Sequence, residues 1–204
     1  DAEQFLGQSF PDNQADAYLL LKFDGDTAED IAKAYDGVAQ ICLEQGACDV
    51  LIADTDERAD AIWKTRGSFL QAINGSTTMM DEVDVVVPRN RVNEFVEFVH
   101  ALQEEMHIRI KSFGHAGDGN LHVYILRDDL DEDEWHRVLE ATMEKMYAKA
   151  RAMEGQVSGG HGIGFAKKSY LKESLDPAAV AVMQGIKKAF DPNNILNPHK
   201  VCFD

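Results

Sequence analysis

"IRIKSFGHAGDGNLHVYIL", residues 108–126, is the stretch on which the fold turns. Two short strand-like runs, "IRIKSF" (108–113) and "LHVYIL" (121–126), flank a glycine-rich turn in which Asp118-Gly119 is a strong turn pair. The expectation is an antiparallel hairpin. It sets His115 and His122 on opposite arms, where two imidazoles can point at a common centre. Neutral imidazole suits zinc, iron or manganese. The H-x6-H spacing alone leaves two readings open: a pair of metal ligands, or two histidines satisfied by the protein itself.

Working outward, "VDVVVP" (83–88) reads as a β-branched strand closed by Pro88. A helix follows over 91–106, with Val92, Phe95, Val96, Val99 and Leu102 on one side. Downstream of the hairpin, the acidic run "RDDLDEDE" reads as the dipole-favoured start of a helix over about 131–153. It lacks the glycine and ligand spacing of a calcium loop. Then come "GQVSGGHGIG", a short helix near 165–172, another over 177–190, and a Pro/Asn-rich tail. Upstream, "YLLLKF" (18–23) and "DVLIA" (49–53) read as strands. Between them Asp26 or Thr27 caps a helix over 27–45, with Ile31, Ala34, Tyr35, Val38, Ile41 and Cys42 on its inward face. Residues 55–74 read as helix with Ala59, Ile62, Trp63, Phe69 and Leu70 inward. This order is not a run of βαβ units in one parallel sheet. It predicts an α+β fold: ferredoxin-like split βαβ units, a largely antiparallel sheet with helices on one face, and a C-terminal helical tail.

The 204 residues suit a single domain, 1–204, with an ordinary globular balance of 45% apolar and 27% charged residues. Lys and Arg total 20 against 36 Asp and Glu, a net charge of −16 that repels phosphate backbones. Nucleic acid is therefore not expected as a partner. No run of about 20 apolar residues suggests a transmembrane segment, and no signal peptide is expected. Cys42, Cys48 and Cys202 show no CxxC spacing, which argues against a disulfide framework or zinc ribbon and for a reducing cytoplasm. No GxGxxG follows a strand and no GxxxxGK[ST] loop is present, so a nucleotide cofactor is expected to be held elsewhere. A chain that starts at Asp1 rather than Met points to processing, to disorder ahead of it, or to a fragment of something longer.

Two further stretches carry chemistry. His161 sits among glycines 159, 160, 162 and 164, where the chain can approach a ligand or another backbone closely. It is either an incidental loop residue or a general base with a pKa near neutrality. In "WKTR" (63–66), Arg66 is either a solvated charge or a planar clamp for a carboxylate.

Taken together, "FGHAGDGNLH" (113–122), "VSGGHGIG" (157–164) and "FDPNNILNPHKV" (190–201), supported by "IWKTR" (62–66) and "DVVVPRNRV" (84–92), resemble the C-terminal cap domain of FAD-linked oxidases. The group is that of D-lactate dehydrogenase, the glycolate oxidase D-subunit and D-2-hydroxyglutarate dehydrogenase, flavoproteins like vanillyl-alcohol oxidase. The resemblance runs over nearly the whole chain in the same order. It implies an oxidation of small 2-hydroxy acids in which a hydride leaves Cα for a flavin held by a separate FAD-binding domain of the same parent chain. His115 and His122 match a substrate-binding pair that also holds a divalent metal against the substrate, for zinc, iron or manganese. His161 matches the base, and Arg66 the substrate-carboxylate clamp. Asn197 and Gly162 match cofactor-facing positions. An electron-transfer subunit is an implied partner, and the implied location is the cytoplasm, at the membrane periphery through partner subunits.

Three departures stand out. Gly160 occupies the position of a glutamate that is the third metal ligand in the family. Tyr124 replaces a polar substrate-contacting residue, and His199 replaces a glycine of the tail. Gly160 keeps a second reading open, a non-catalytic assembly or binding module that retains the fold.

Overall fold

The computed structural model describes residues 2–7, 9, 15 and 17–201; Cys202 lies outside them. Two compact units divide the chain, Asp1–Gly75 and Ser76–Asp204. Among the described residues no helix is long and apolar enough to cross a membrane.

The first unit is helical. It holds α1 (Ala2–Leu6), α2 (Ala28–Glu44), α3 (Asp56–Gly67) and α4 (Phe69–Gly75). Thr27 caps α2 as expected, its hydroxyl accepting from the Asp30 amide at 3.1 Å. Three expectations fail here. Neither 18–23 nor 49–53 forms a strand, and Leu19 and Leu51 are exposed. Short apolar runs have strand propensity, but a strand needs a ladder partner, and the described residues of this unit contain no other strand to pair with. The helix expected over 55–74 breaks at Ser68, whose amide donates to both Lys64 O and Thr65 O and whose hydroxyl donates to Thr65 O. The break moves the buried face: Ile62 and Trp63 are exposed, and Ala72 and Ile73 are the buried pair.

The second unit follows the expected α+β plan. Its elements are β1 (Met80–Val86), α5 (Val92–Met106), β2 (Arg109–His115), β3 (Asn120–Leu126), α6 (Glu132–Ala152), α7 (Lys168–Ser174) and α8 (Pro177–Phe190). The three strands form one sheet in the order β1-β3-β2, and β3 is antiparallel to both neighbours. Strands β1 and β2 therefore run parallel with β3 between them, and α5 connects them: one split βαβ unit rather than several. The acidic run does start a helix. Asp131 caps α6 by accepting from the Glu134 amide at 2.8 Å, with Glu132, Asp133 and Glu134 in the first turn. Val83, Val85, Val123 and Ile125 cluster with Phe95 and Val99 of α5 and with Trp135 and Met146 of α6. This is the sheet's apolar face. The opposite face carries Glu82, Asp84, His122 and Tyr124.

Candidate functional site

Successive residues of a strand point to opposite faces, and directly paired residues share a face. Once Val83 and Val85 are buried with α5 and α6, Glu82 and Asp84 must lie on the other side. The β1–β3 register pairs Glu82 with Tyr124 and Asp84 with His122. The β2–β3 register adds Lys111 beside Tyr124 and Phe113 beside His122. His115 pairs with Asn120, one strand period further along that face.

The hairpin turn is built as its residues demand. His115 O accepts the amides of Asp118 and Gly119, and Asp118 Oδ1 accepts from the Asn120 amide at 3.0 Å. Gly119 has φ +79, and a Cβ there would meet Val87 O at 2.0 Å, so only glycine fits. The two expected imidazoles share one side, with ring centroids 6.0 Å apart and planes at 84°. They differ in setting: His115 is exposed, and His122 is buried.

The loop that carries His161 is pinned to β1 at two points. Val86 and Gln156 exchange both backbone hydrogen bonds. Beyond them, Asp84 Oδ2 accepts from the Ser158 hydroxyl at 2.8 Å and from the amides of Gly159, Gly160 and His161 at 3.1–3.4 Å, with Lys167 Nζ at 3.5 Å. Burial alone would push the Asp84 carboxyl up. The donors from Ser158, His161, Lys167 and Gly160 outweigh it and hold the group at about 2. One wholly buried carboxylate thus orders the glycine loop.

That anchoring brings His161 onto His122. Their rings stack with centroids 4.7 Å apart and 21° between planes. Glu82 reaches both: its Oε1 lies 3.1 Å from His122 Nδ1, and its Oε2 lies 3.1 Å from His161 Nδ1. The Tyr124 hydroxyl donates to the same Oε1 at 3.1 Å. Glu82, His122 and His161 each offer a ligand atom within 4.8 Å of the others, and His115 is outside that group. Two imidazoles and a carboxylate form a donor set suited to zinc, iron or manganese, so these residues fit a divalent ion.

The remaining expected residues fall as follows. Arg66 is in the last turn of α3, in the first unit, with its guanidinium 5.6 Å from the Phe69 ring centroid. Gly162 has φ +77, with nothing within 4 Å of where a Cβ would sit. Asn197 is exposed with φ 48. His199 has φ 62, the left-handed conformation that glycine takes without strain, so a histidine there holds the turn at a cost. The tail returns to the glycine loop, where the Val201 amide donates to Gly164 O at 2.7 Å. Sequence reasoning missed Glu82 and Asp84 as site residues. The signal that could have found them is two acids two residues apart in a β-branched strand, the spacing that puts both on one face.

The family described as "FAD linked oxidases, C-terminal domain" matches residues 2–201. The D-lactate dehydrogenase of Anaerostipes hadrus is 45% identical across the entire chain, which covers 44% of that protein. Glycolate oxidase subunit GlcD of Bacillus subtilis is 36% identical over 92% of the chain and 39% of its own length. The D-2-hydroxyglutarate dehydrogenase of Stutzerimonas stutzeri is 32% identical over 90% of the chain and 40% of its own length. The chain therefore spans less than half the length of each of these relatives. With its motifs in the family's order and a match from residue 2 to residue 201, the chain belongs to the family of FAD-linked oxidase C-terminal domains.

Proposed function

We propose that the chain is the substrate-binding cap domain, residues 1–204, of a longer FAD-dependent oxidoreductase that acts on the CH–OH group of small 2-hydroxy acids, of the D-lactate or glycolate type. The observation that carries this reading is the stack of His122 on His161 above the Glu82 carboxylate, with His115 beside it. The relatives named for D-lactate, glycolate and D-2-hydroxyglutarate support an acid of that class.

His161 is the group proposed to take the hydroxyl proton, since imidazole accepts one near neutral pH. Glu82 faces its Nδ1, so Nε2 is the nitrogen turned to the substrate. Arg66 is proposed to hold the substrate carboxylate through its bidentate fork; its support is its match to the family pattern. FAD, bound mainly by a companion domain of the same polypeptide, supplies the hydride acceptor, with Gly162 and Asn197 of this chain proposed to meet it. The resemblance assigns a divalent cation to His115 and His122, whereas the donors gathered within 4.8 Å of one another are Glu82, His122 and His161, so His122 is the ligand common to both and Glu82 brings to that pocket the negative charge that Gly160 cannot. Such a cation supplies Lewis-acid stabilisation of negative charge on the substrate oxygen. An electron-transfer subunit is the proposed onward partner.

The test is His161→Ala in the full-length protein, assayed with D-lactate, glycolate and D-2-hydroxyglutarate and an artificial acceptor. Turnover is expected to fall by about 10²–10⁴-fold with flavin content unchanged. Undiminished turnover would remove the base assignment.

A further inference from the structure

Glu82 touches both working imidazoles through the same ring atom, Nδ1, at the same distance of 3.1 Å, using a different oxygen for each. A carboxylate accepts hydrogen bonds and donates none, so each of these contacts, as a hydrogen bond, places the proton on the ring nitrogen. A second acid lies on the same side of His122. Asp84 Oδ1 is 3.7 Å from His122 Nδ1, and that oxygen is buried with no hydrogen-bond partner among the described residues. Every acidic group that faces the Nδ1 edge of His122 thus favours a proton there.

We infer that Glu82 is a positioning residue that fixes His122 and His161 in the same tautomer, Nδ1–H donated to its two oxygens, so that both Nε2 lone pairs are presented together. This rests on the proposed function only in taking these two rings as the working groups. It adds what that reading lacks, a reason why two rings from distant segments present the same nitrogen. The tautomer is the less common one for free histidine in water, so the protein has to impose it. The strands do the imposing. Glu82 is held in register opposite Tyr124, whose hydroxyl donates to Oε1, and stacking at 21° keeps the two rings parallel so that one carboxylate can serve both. A carboxylate behind a ligating imidazole also raises its basicity and sets its aim.

The test begins with no substitution. The full-length protein, labelled with 15N at histidine and free of added metal, is examined by long-range 1H–15N spectra of its imidazoles. His122 and His161 are expected to show protonated Nδ1 and unprotonated Nε2; Nε2–H on both rings overturns the inference. Glu82→Gln then keeps shape and packing but offers one acceptor and one donor in place of two acceptors. At least one ring is expected to switch to Nε2–H, and affinity for manganese(II) or zinc(II) alone to fall by about 10–100-fold. Unchanged tautomers in Glu82→Gln, or a crystal structure with manganese bound between Glu82 and the two Nδ1 atoms, would also overturn it. None of these readings depends on turnover. A failed His161→Ala assay with the expected spectra sinks the proposed reaction and leaves the positioning role, and the reverse pattern sinks the positioning role alone.

Discussion

The two faces of the three-stranded sheet are made by the same twenty-odd residues in alternation, and they do opposite things. One presents Val83, Val85, Val123 and Ile125 to α5 and α6 and is sealed from water. The other presents Glu82, Asp84, His122 and Tyr124, in strict register with the first. Period-two geometry lets one set of backbone hydrogen bonds serve both, so folding energy and chemistry are separable by parity along each strand. If so, substitutions should sort by face. The largest effect on stability belongs to the sealed side. Phe95, wholly buried, packs in that cluster, and Phe95→Ala is expected to cost about 3–5 kcal/mol. For a chain of this size that lowers the melting temperature on the order of 10 °C by calorimetry. A cost below about 1 kcal/mol would mean that the cluster is not what holds the unit together.

Asp84 breaks the tidy division, because it lies on the chemical face yet is wholly buried and organises structure. Asp84→Asn keeps the shape and removes the charge that gathers Ser158, three loop amides and Lys167. Hydrogen bonds to a charged group contribute about 1.5–3 kcal/mol, and a loss in that range is expected by urea unfolding at neutral pH. Hydrogen exchange at Gly159, Gly160 and His161 should quicken in parallel. The pH dependence has a definite sign. The folded-state pKa is depressed from 3.8 to about 2, so the stabilisation is fully present above the ordinary carboxylate range and is lost as pH falls towards about 2. The substituted protein should lack that share of the acid-induced loss, and an unaltered acid limb would show that Asp84 is not the anchor.

How much of this could be read beforehand follows from the same physics. The hairpin was legible because its signals are local: strand-forming runs on either side of a turn pair, with Asp118 serving the turn. The starts of α2 and α6 were legible for the same reason, since a cap is a contact between near neighbours. The strands expected at 18–23 and 49–53 failed because a ladder partner is a non-local fact that propensity does not contain. Glu82 and Asp84 went unrecognised as site residues because an acid in a sequence looks solvated until register is known. Only the pairing of β1 with β3, which joins positions 38 and 42 apart in the chain at Asp84 and Glu82, sets them against His122 and Tyr124. His161 was legible as a residue of interest from its glycines. Its partner Glu82, 79 positions away, was not.

The smallest effects test the comparison most finely. Tyr124 belongs to both faces in character: its ring stacks on Phe113 with centroids 5.4 Å apart, and its hydroxyl serves Glu82. Tyr124→Phe keeps the ring and drops one hydrogen bond, so about 1 kcal/mol is expected by denaturant titration. His161 should matter still less to the fold. Its side chain is 48% exposed, and the loop beneath it is held by its own backbone amide on Asp84, which the alanine variant keeps. His161→Ala should therefore leave unfolding free energy within about 0.5 kcal/mol of the parent, the range of ordinary surface changes. A large loss of stability would mean that the imidazole, rather than the amide beneath it, holds the loop. Stability and chemistry would then share one side chain, and the separation by face would fail at the residue where it is most needed.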